Sequence, residues 1–133
     1  MNDRAWSDTL RMVIEMLSST LPDVTVADRM PPPGELDQQL PYVMVDLLPG
    51  EEVVAWGGRG PVRDFVVLDI DVFAASRALA HPTGVLIRQL MHNLPNYAGA
   101  NVTYVDCPGF STRPDYNPHI RRLGVTVTLH VPT

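Results

Sequence analysis

The sequence predicts an α+β fold in the order α-β-β-β-α-β-β: a mixed, mostly antiparallel sheet with two helices packed on one face. Two observations carry that prediction. Apolar residues recur at helical spacing in only two stretches, too few helices to cover both faces of the sheet. Five other stretches are β-branched and alternating, and Pro- and Gly-rich connections separate them. A chain of 133 residues is most economically one domain spanning 1–133. At that size it buries roughly two-thirds of its unfolded surface, enough for a core without metal or disulfide support.

Residues 3–20 form the first expected helix. Asp3 or Asn2 can cap it, Trp6, Leu10, Val13, Ile14 and Leu17 share a face, and Pro22 stops it. "VTVADR" (24–29) is a short strand. "MPPPGELDQQLP" (30–41) reads as an extended connection, part polyproline II, because three consecutive prolines suit neither a helix nor a central strand. "YVMVDLL" (42–48) and "DFVVLDIDVFA" (64–74) form a hairpin whose long connection, 50–63, is loop-like. The second helix covers 76–95, with Val85, Leu86, Leu90 and Leu94 as its apolar residues and Ser76 or Thr83 as cap. Pro82 and Gly84 require that it start near residue 82 or kink there. Residues 102–107 and 119–131 are the last two strands, with a loop between them.

Alternation assigns faces. Val66, Leu68, Ile70 and Val72 share one side of the strongest strand, and Phe65, Val67, Asp69, Asp71 and Phe73 the other. In the final strand Val125, Val127, Leu129 and Val131 oppose Thr126, Thr128 and His130.

Composition excludes several classes. The chain is 45% hydrophobic and 19% charged, which is globular rather than disordered. A net charge of −5 argues against a phosphate-gripping nucleic-acid binder, though not against a protein through which DNA passes. The lone Cys107 cannot form an internal disulfide or a multi-cysteine zinc site, and its apolar neighbours suggest a buried structural thiol. The first residues lack a basic, then apolar, leader, and no apolar run reaches membrane-spanning length, so no signal peptide and no membrane partner are expected. All ten basic residues are Arg, whose planar fork suits protein interfaces, and the 13 prolines stiffen the connections.

Catalytic patterns are sparse. Asp69 and Asp71, two apart on a strand, point to one face and with Asp46 or His130 can hold Mg²⁺ or Mn²⁺ for phosphoryl chemistry. No further acid stands at a characteristic spacing, so the preferred expectation is a solvated pair or one salt-bridged to a neighbouring Arg. His81, His92, His119 and His130 form no zinc-presenting pair. There is no G-x-S-x-G elbow, S-x-x-K pair or dinucleotide fingerprint, and "GGRG" (57–60) lacks the residues that grip phosphate. The expectation is a non-enzymatic chain without catalytic residues, cofactor or metal. Arg113, Asp115, Tyr116 and His119 sit in a proline-bracketed loop with no nucleophile.

The connection 50–63 differs in character: it is a glycine-rich loop carrying Glu51, Glu52, Trp56, Arg59 and Arg63, and Trp and Arg are favoured at interface hot spots. An ordinary solvent loop is the other reading. Arg121 and Arg122 follow as interface candidates, since strand neighbours face opposite sides and one can pair with an acid across a subunit boundary.

The layout carried by "WSDTLRMVIEML", "PYVMVDLLPGEE", "RDFVVLDIDVFAASRALA", "GVLIRQLMHNLP" and "RPDYNPHIRRLGVTVTLHV" resembles the tail-terminator (tail-completion) proteins of long-tailed bacteriophages. That resemblance implies a structural virion protein forming a ring, commonly a hexamer, at the head-proximal end of the tail. The ring stops tail-tube polymerisation and offers a surface for head joining. The implied partners are further copies of the chain, the tail-tube protein and a head-completion or connector protein, with DNA passing through the lumen unbound. Assembly would take place in the host cytoplasm, and the product would reside in the virion tail. Alternatives are a head–tail connector or neck protein of similar form, a metal-dependent enzyme using Asp69 and Asp71, and a stand-alone ligand-binding or regulatory domain.

Overall fold

The computed structural model describes residues 3–49, 52–54, 61–97, 99–115 and 117–132, with side chains described over 8–49, 65–97, 99–115 and 117–132. The expected α+β class is observed. Among the described residues, helix α1 (Asp3–Thr20) and helix α2 (Arg77–His92) accompany seven strands: β1 (Thr25–Ala27), β2 (Tyr42–Leu48), β3 (Glu52–Val54), β4 (Pro61–Ala74), β5 (Tyr104–Asp106), β6 (Ser111–Thr112) and β7 (Arg121–Pro132). They form one sheet in the order β1-β2-β4-β7-β5, with β3 also paired to β4 and β6 to β7. The β1–β2 pair is parallel and the remaining pairs are antiparallel.

The long pair β4–β7 is the spine, and its register explains the core. Val66 faces Leu129, Leu68 faces Val127, Ile70 faces Val125 and Val72 faces Leu123. On the other flank Val43 faces Val72 and Val45 faces Ile70. These residues form one buried apolar cluster with Val13, Met16 and Leu17 of α1 and Ala80, Ile87 and Met91 of α2. Both helices therefore cover the same sheet face, as two amphipathic helices must when one face has the apolar alternation. Leu10 and Ile14 pack at the edge of this cluster, and Thr20 Oγ1 donates to the Met16 carbonyl at 2.8 Å in the last turn of α1.

Four local expectations are corrected. Residues 50–63 are not loop throughout: Glu52 and Val53 pair with Asp64 and Arg63, so β4 begins at Pro61 and the hairpin is longer than its apolar pattern suggested. The 30–41 connection is not purely extended, because Leu36–Gln39 make a 3₁₀-helix. The region between the last two strands contains β6, which pairs with Gly124 and Leu123. Helix α2 starts at Arg77 and passes through Pro82, with the Ser76 side chain accepting a hydrogen bond from the Leu79 N–H at 3.2 Å. Pro82 is tolerated because it lies close to the N-terminus, where few carbonyls precede it and it removes a single intrahelical bond. Gly84 is buried in this helix because Phe110 packs on it; an added Cβ would lie 3.1 Å from Phe110 Cγ.

The second sheet face is closed differently along its length. At one end Leu36, Tyr42, Phe73 and Ile120 form a small separate cluster, roofed by the 30–41 connection. The Tyr42 hydroxyl donates to the Arg29 carbonyl and ties that roof to β2. Beyond this cluster the face becomes ionic.

Candidate functional site

The ionic part is built by β4, β7 and the segment that follows β6. Asp69 and Asp71 share the helix-free face of β4, opposite Thr126 and Gly124 of β7. Arg113, just after β6, lays its guanidinium across β7 onto both carboxylates. Its Nη1 donates to Asp69 Oδ2 at 2.7 Å and to Asp71 Oδ1 at 2.9 Å, and its Nη2 donates to Asp69 Oδ1 at 2.8 Å. Arg122 Nη2 donates to Asp71 Oδ2 at 2.8 Å, and Thr126 Oγ1 to Asp69 Oδ1 at 3.2 Å.

Gly124 makes this crossing possible. A Cβ at that position would stand 2.3 Å from Arg113 Nε and 2.4 Å from its Cδ, so a side chain and the guanidinium cannot share the space. Asp71 is 1% exposed and would be costly unpaired; two guanidiniums neutralise it. Burial alone would raise the Asp69 pKa, but its hydrogen bond and proximity to Arg113, aided by Thr126 and Arg122, outweigh that and hold it below the usual carboxylate range.

A second ionic knot adjoins the first. Asp115 accepts from Arg77 Nη1 at 3.2 Å and Nη2 at 3.3 Å, from Arg121 Nη1 at 3.0 Å and from the Arg122 N–H at 3.4 Å. It ties the start of α2 to the start of β7. At the opposite end of the face, His130 stands edge-on to Phe65 (ring centroids 4.6 Å apart) and to the exposed Tyr104 (5.1 Å).

The carboxylates of this surface are engaged by guanidiniums of their own chain. Asp69 and Asp71 converge as their spacing implied, but the oxygens a divalent cation would need accept from guanidinium nitrogens instead. Asp46 lies opposite Asp69 and is exposed, while His130 belongs to the aromatic end. Among the described residues no group of three or more His, Cys, Asp or Glu is placed to hold a metal ion. Cys107 is buried, and desolvation pushes its thiol up to about 11, which keeps it protonated and unreactive near neutrality.

The interface candidates fall in different places. Glu52 lies in β3 and Arg63 in β4, by backbone, whereas Glu51, Trp56 and Arg59 lie outside the described residues, as does Tyr116. Arg121 and Arg122 are brought together at the start of β7, and each holds an aspartate of its own chain. The clasp by Arg113 was not assigned from sequence, although the glycine interrupting an otherwise β-branched strand at Gly124 marks a close approach. Among the described side chains, α2 carries most of the large exposed apolar residues, with Leu79 62% and Leu86 46% exposed. No described helix is long and apolar enough to cross a membrane.

No protein-family model matches the chain, and no curated protein matches it in sequence. Among solved structures, the fold is similar to that of a chain in the virion of a native gene transfer agent particle, with a TM-score of 0.56 and 16% identity, over 96% of this chain and 92% of that one. At that identity the likeness is one of fold, and it runs almost from end to end of both chains.

Proposed function

We propose that this chain is a structural virion protein of a phage-like particle, folded as a single domain over residues 1–133. It forms a ring, six copies by resemblance, at the head-proximal end of a tail. There it ends tail-tube polymerisation and offers the head-joining surface. The observation that supports this most is the end-to-end fold likeness to a virion chain. The charge balance of −5 suits a lumen that DNA crosses without being gripped. The exposed leucines of α2 suit burial against neighbours.

In this reading the chain has no catalytic or cofactor role. It assembles in the host cytoplasm and resides in the virion tail. Glu51, Glu52, Trp56, Arg59 and Arg63 of the 50–63 connection, then Arg121 and Arg122, face the next subunit or the tube.

Native mass spectrometry and negative-stain microscopy of the purified chain, alone and with its tail-tube protein, test the proposal. The expected result is a closed ring of about six copies capping tube ends. A chain that stays monomeric and leaves tube growth unchanged refutes it. Binding to the connector but not to the tube would move the protein to the neck.

A further inference from the structure

Seven arginine side chains fall among the described residues, and Arg29, Arg77, Arg113, Arg121 and Arg122 each face a carboxylate. Arg11 of α1 and Arg88 of α2 have no recorded carboxylate among the described residues; the recorded partner of Arg88 is the Cys107 carbonyl, to which Nε donates at 3.0 Å. Arg88 lines a groove of about 500 Å³ between the outer side of α2 and segment 107–110. Phe110 reaches this groove because Gly84 lacks a side chain, and Val85, 43% exposed, adds apolar surface. His81 and His92 stand on the same helix face as Arg88, and His92 Nε2 donates to the Cys107 carbonyl at 2.8 Å. No Asp or Glu is among the described lining residues. An acidic chain thus presents a concavity that joins an aromatic patch to an unneutralised guanidinium.

We propose that this groove docks segment 51–54 of a second copy, with Glu51 or Glu52 on Arg88 and the following valine against Val85 and Phe110; this rests on the ring reading above. Three features select that occupant. The segment is acidic and then aliphatic, the complement of the groove. In an extended chain residues two apart share a face about 6.5–7 Å from each other. Val85 and Arg88, three apart on a helix, have β-carbons roughly 5–6 Å apart. The spacing of a glutamate and a valine two residues on in an extended peptide is thus about 1 Å wider than that pair, within the reach of the long Arg88 side chain. Finally, β3 lies on the β2 side of β4, whereas segment 107–110 joins β5 to β6 beyond β7. The donor and the groove are on opposite flanks of the spine, so one copy's segment reaches the next copy's groove, the head-to-tail contact that closes a ring.

The test uses the full chain carrying Glu51→Lys and Glu52→Lys, which frees its groove, titrated with a fluorescent peptide of residues 49–56. Saturable binding is expected, weakened at least about tenfold by Arg88→Gln, which removes the charge while keeping a donor for the Cys107 carbonyl. Val85→Asp is expected to weaken it similarly, and a peptide with Lys at both Glu positions to lose binding. Melting curves confirm that each variant is folded. No binding, or binding indifferent to both groove variants, overturns the proposal. Native mass spectrometry of the unaltered chain judges the ring separately. A ring whose assembly is unchanged in Arg88→Gln, together with peptide binding indifferent to that variant, refutes the groove and leaves the ring standing. A monomer whose freed groove binds the peptide through Arg88 keeps the groove and removes unaided ring closure.

Discussion

Replacing Gly124 by Ala isolates the Arg113 clasp with a single methyl group. The new Cβ would overlap Arg113 at Nε, Cδ and Cζ, all within 2.5 Å. The guanidinium must leave, and three hydrogen bonds to Asp69 and Asp71 go with it. Breaking a buried ion pair costs about 3–5 kcal/mol. Arg113 and Asp69 are each 22% exposed and Asp71 keeps Arg122, so about 2–4 kcal/mol is the fitting range. Alanine in a strand returns about 0.5–1 kcal/mol relative to glycine, and Gly124 has no positive φ to oppose it. The net loss is about 1–3.5 kcal/mol, seen as a fall of roughly 0.5–2 M in the urea midpoint. The decisive measurement is the double-mutant cycle with Arg113→Ala. In that background the clash is gone, and Gly124→Ala should be neutral or stabilising by up to about 1 kcal/mol. If the two substitutions add independently, Gly124 is not there for Arg113 and the reasoning fails.

Three further outcomes follow from the same structure. The Asp69 carboxyl is held below its unfolded value of about 3.9. Its contribution is therefore complete above that value and lost as pH falls through the lower folded one. Urea midpoints should drop below about pH 4, and Asp69→Asn should lose stability near neutrality while flattening that acid slope; an unchanged slope counts against the assignment. Ser76→Ala should cost about 1 kcal/mol through the lost cap on the Leu79 N–H, in thermal or urea unfolding, whereas an unchanged midpoint would deny the cap any weight. The Cys107 thiol should react with a disulfide reagent at pH 8 at least about 100-fold more slowly in the native chain than in urea, and equal rates would contradict its burial.

Much of the sheet was legible because alternation is a property of neighbouring residues. Val66 through Val72 and Val125 through Val131 assign the helix-covered face without long-range information, and the β4–β7 register then aligns them. The second face was legible only in kind. Asp69 and Asp71 were expected to share a side and to be either solvated or salt-bridged to a neighbouring arginine; the second is observed. That the arginine is Arg113 depends on β6 folding back onto β7 and on the gap at Gly124, both set by tertiary packing. Strands β3 and β6, three and two residues long, are too short for a period to declare itself. Pro82 misled the helix start because propensity describes an interior position, and the residue sits near an end already anchored by Ser76. The α2 groove had no sequence signal at all, since Gly84, Arg88 and Phe110 meet only after segment 107–110 crosses the helix.

The lengths of the outermost strands have a further consequence. Strands β1 and β5, which bound the described sheet, are three residues each. Each offers another chain at most a few backbone donors and acceptors, and a template that short does not propagate cross-chain pairing. If copies associate as proposed, their contacts are steered away from edge-to-edge stacking, which is open-ended, toward side-chain surfaces whose geometry can set a finite number. On the proposed reading, a protein that halts growth of a polymer gains from being a poor seed for one of its own.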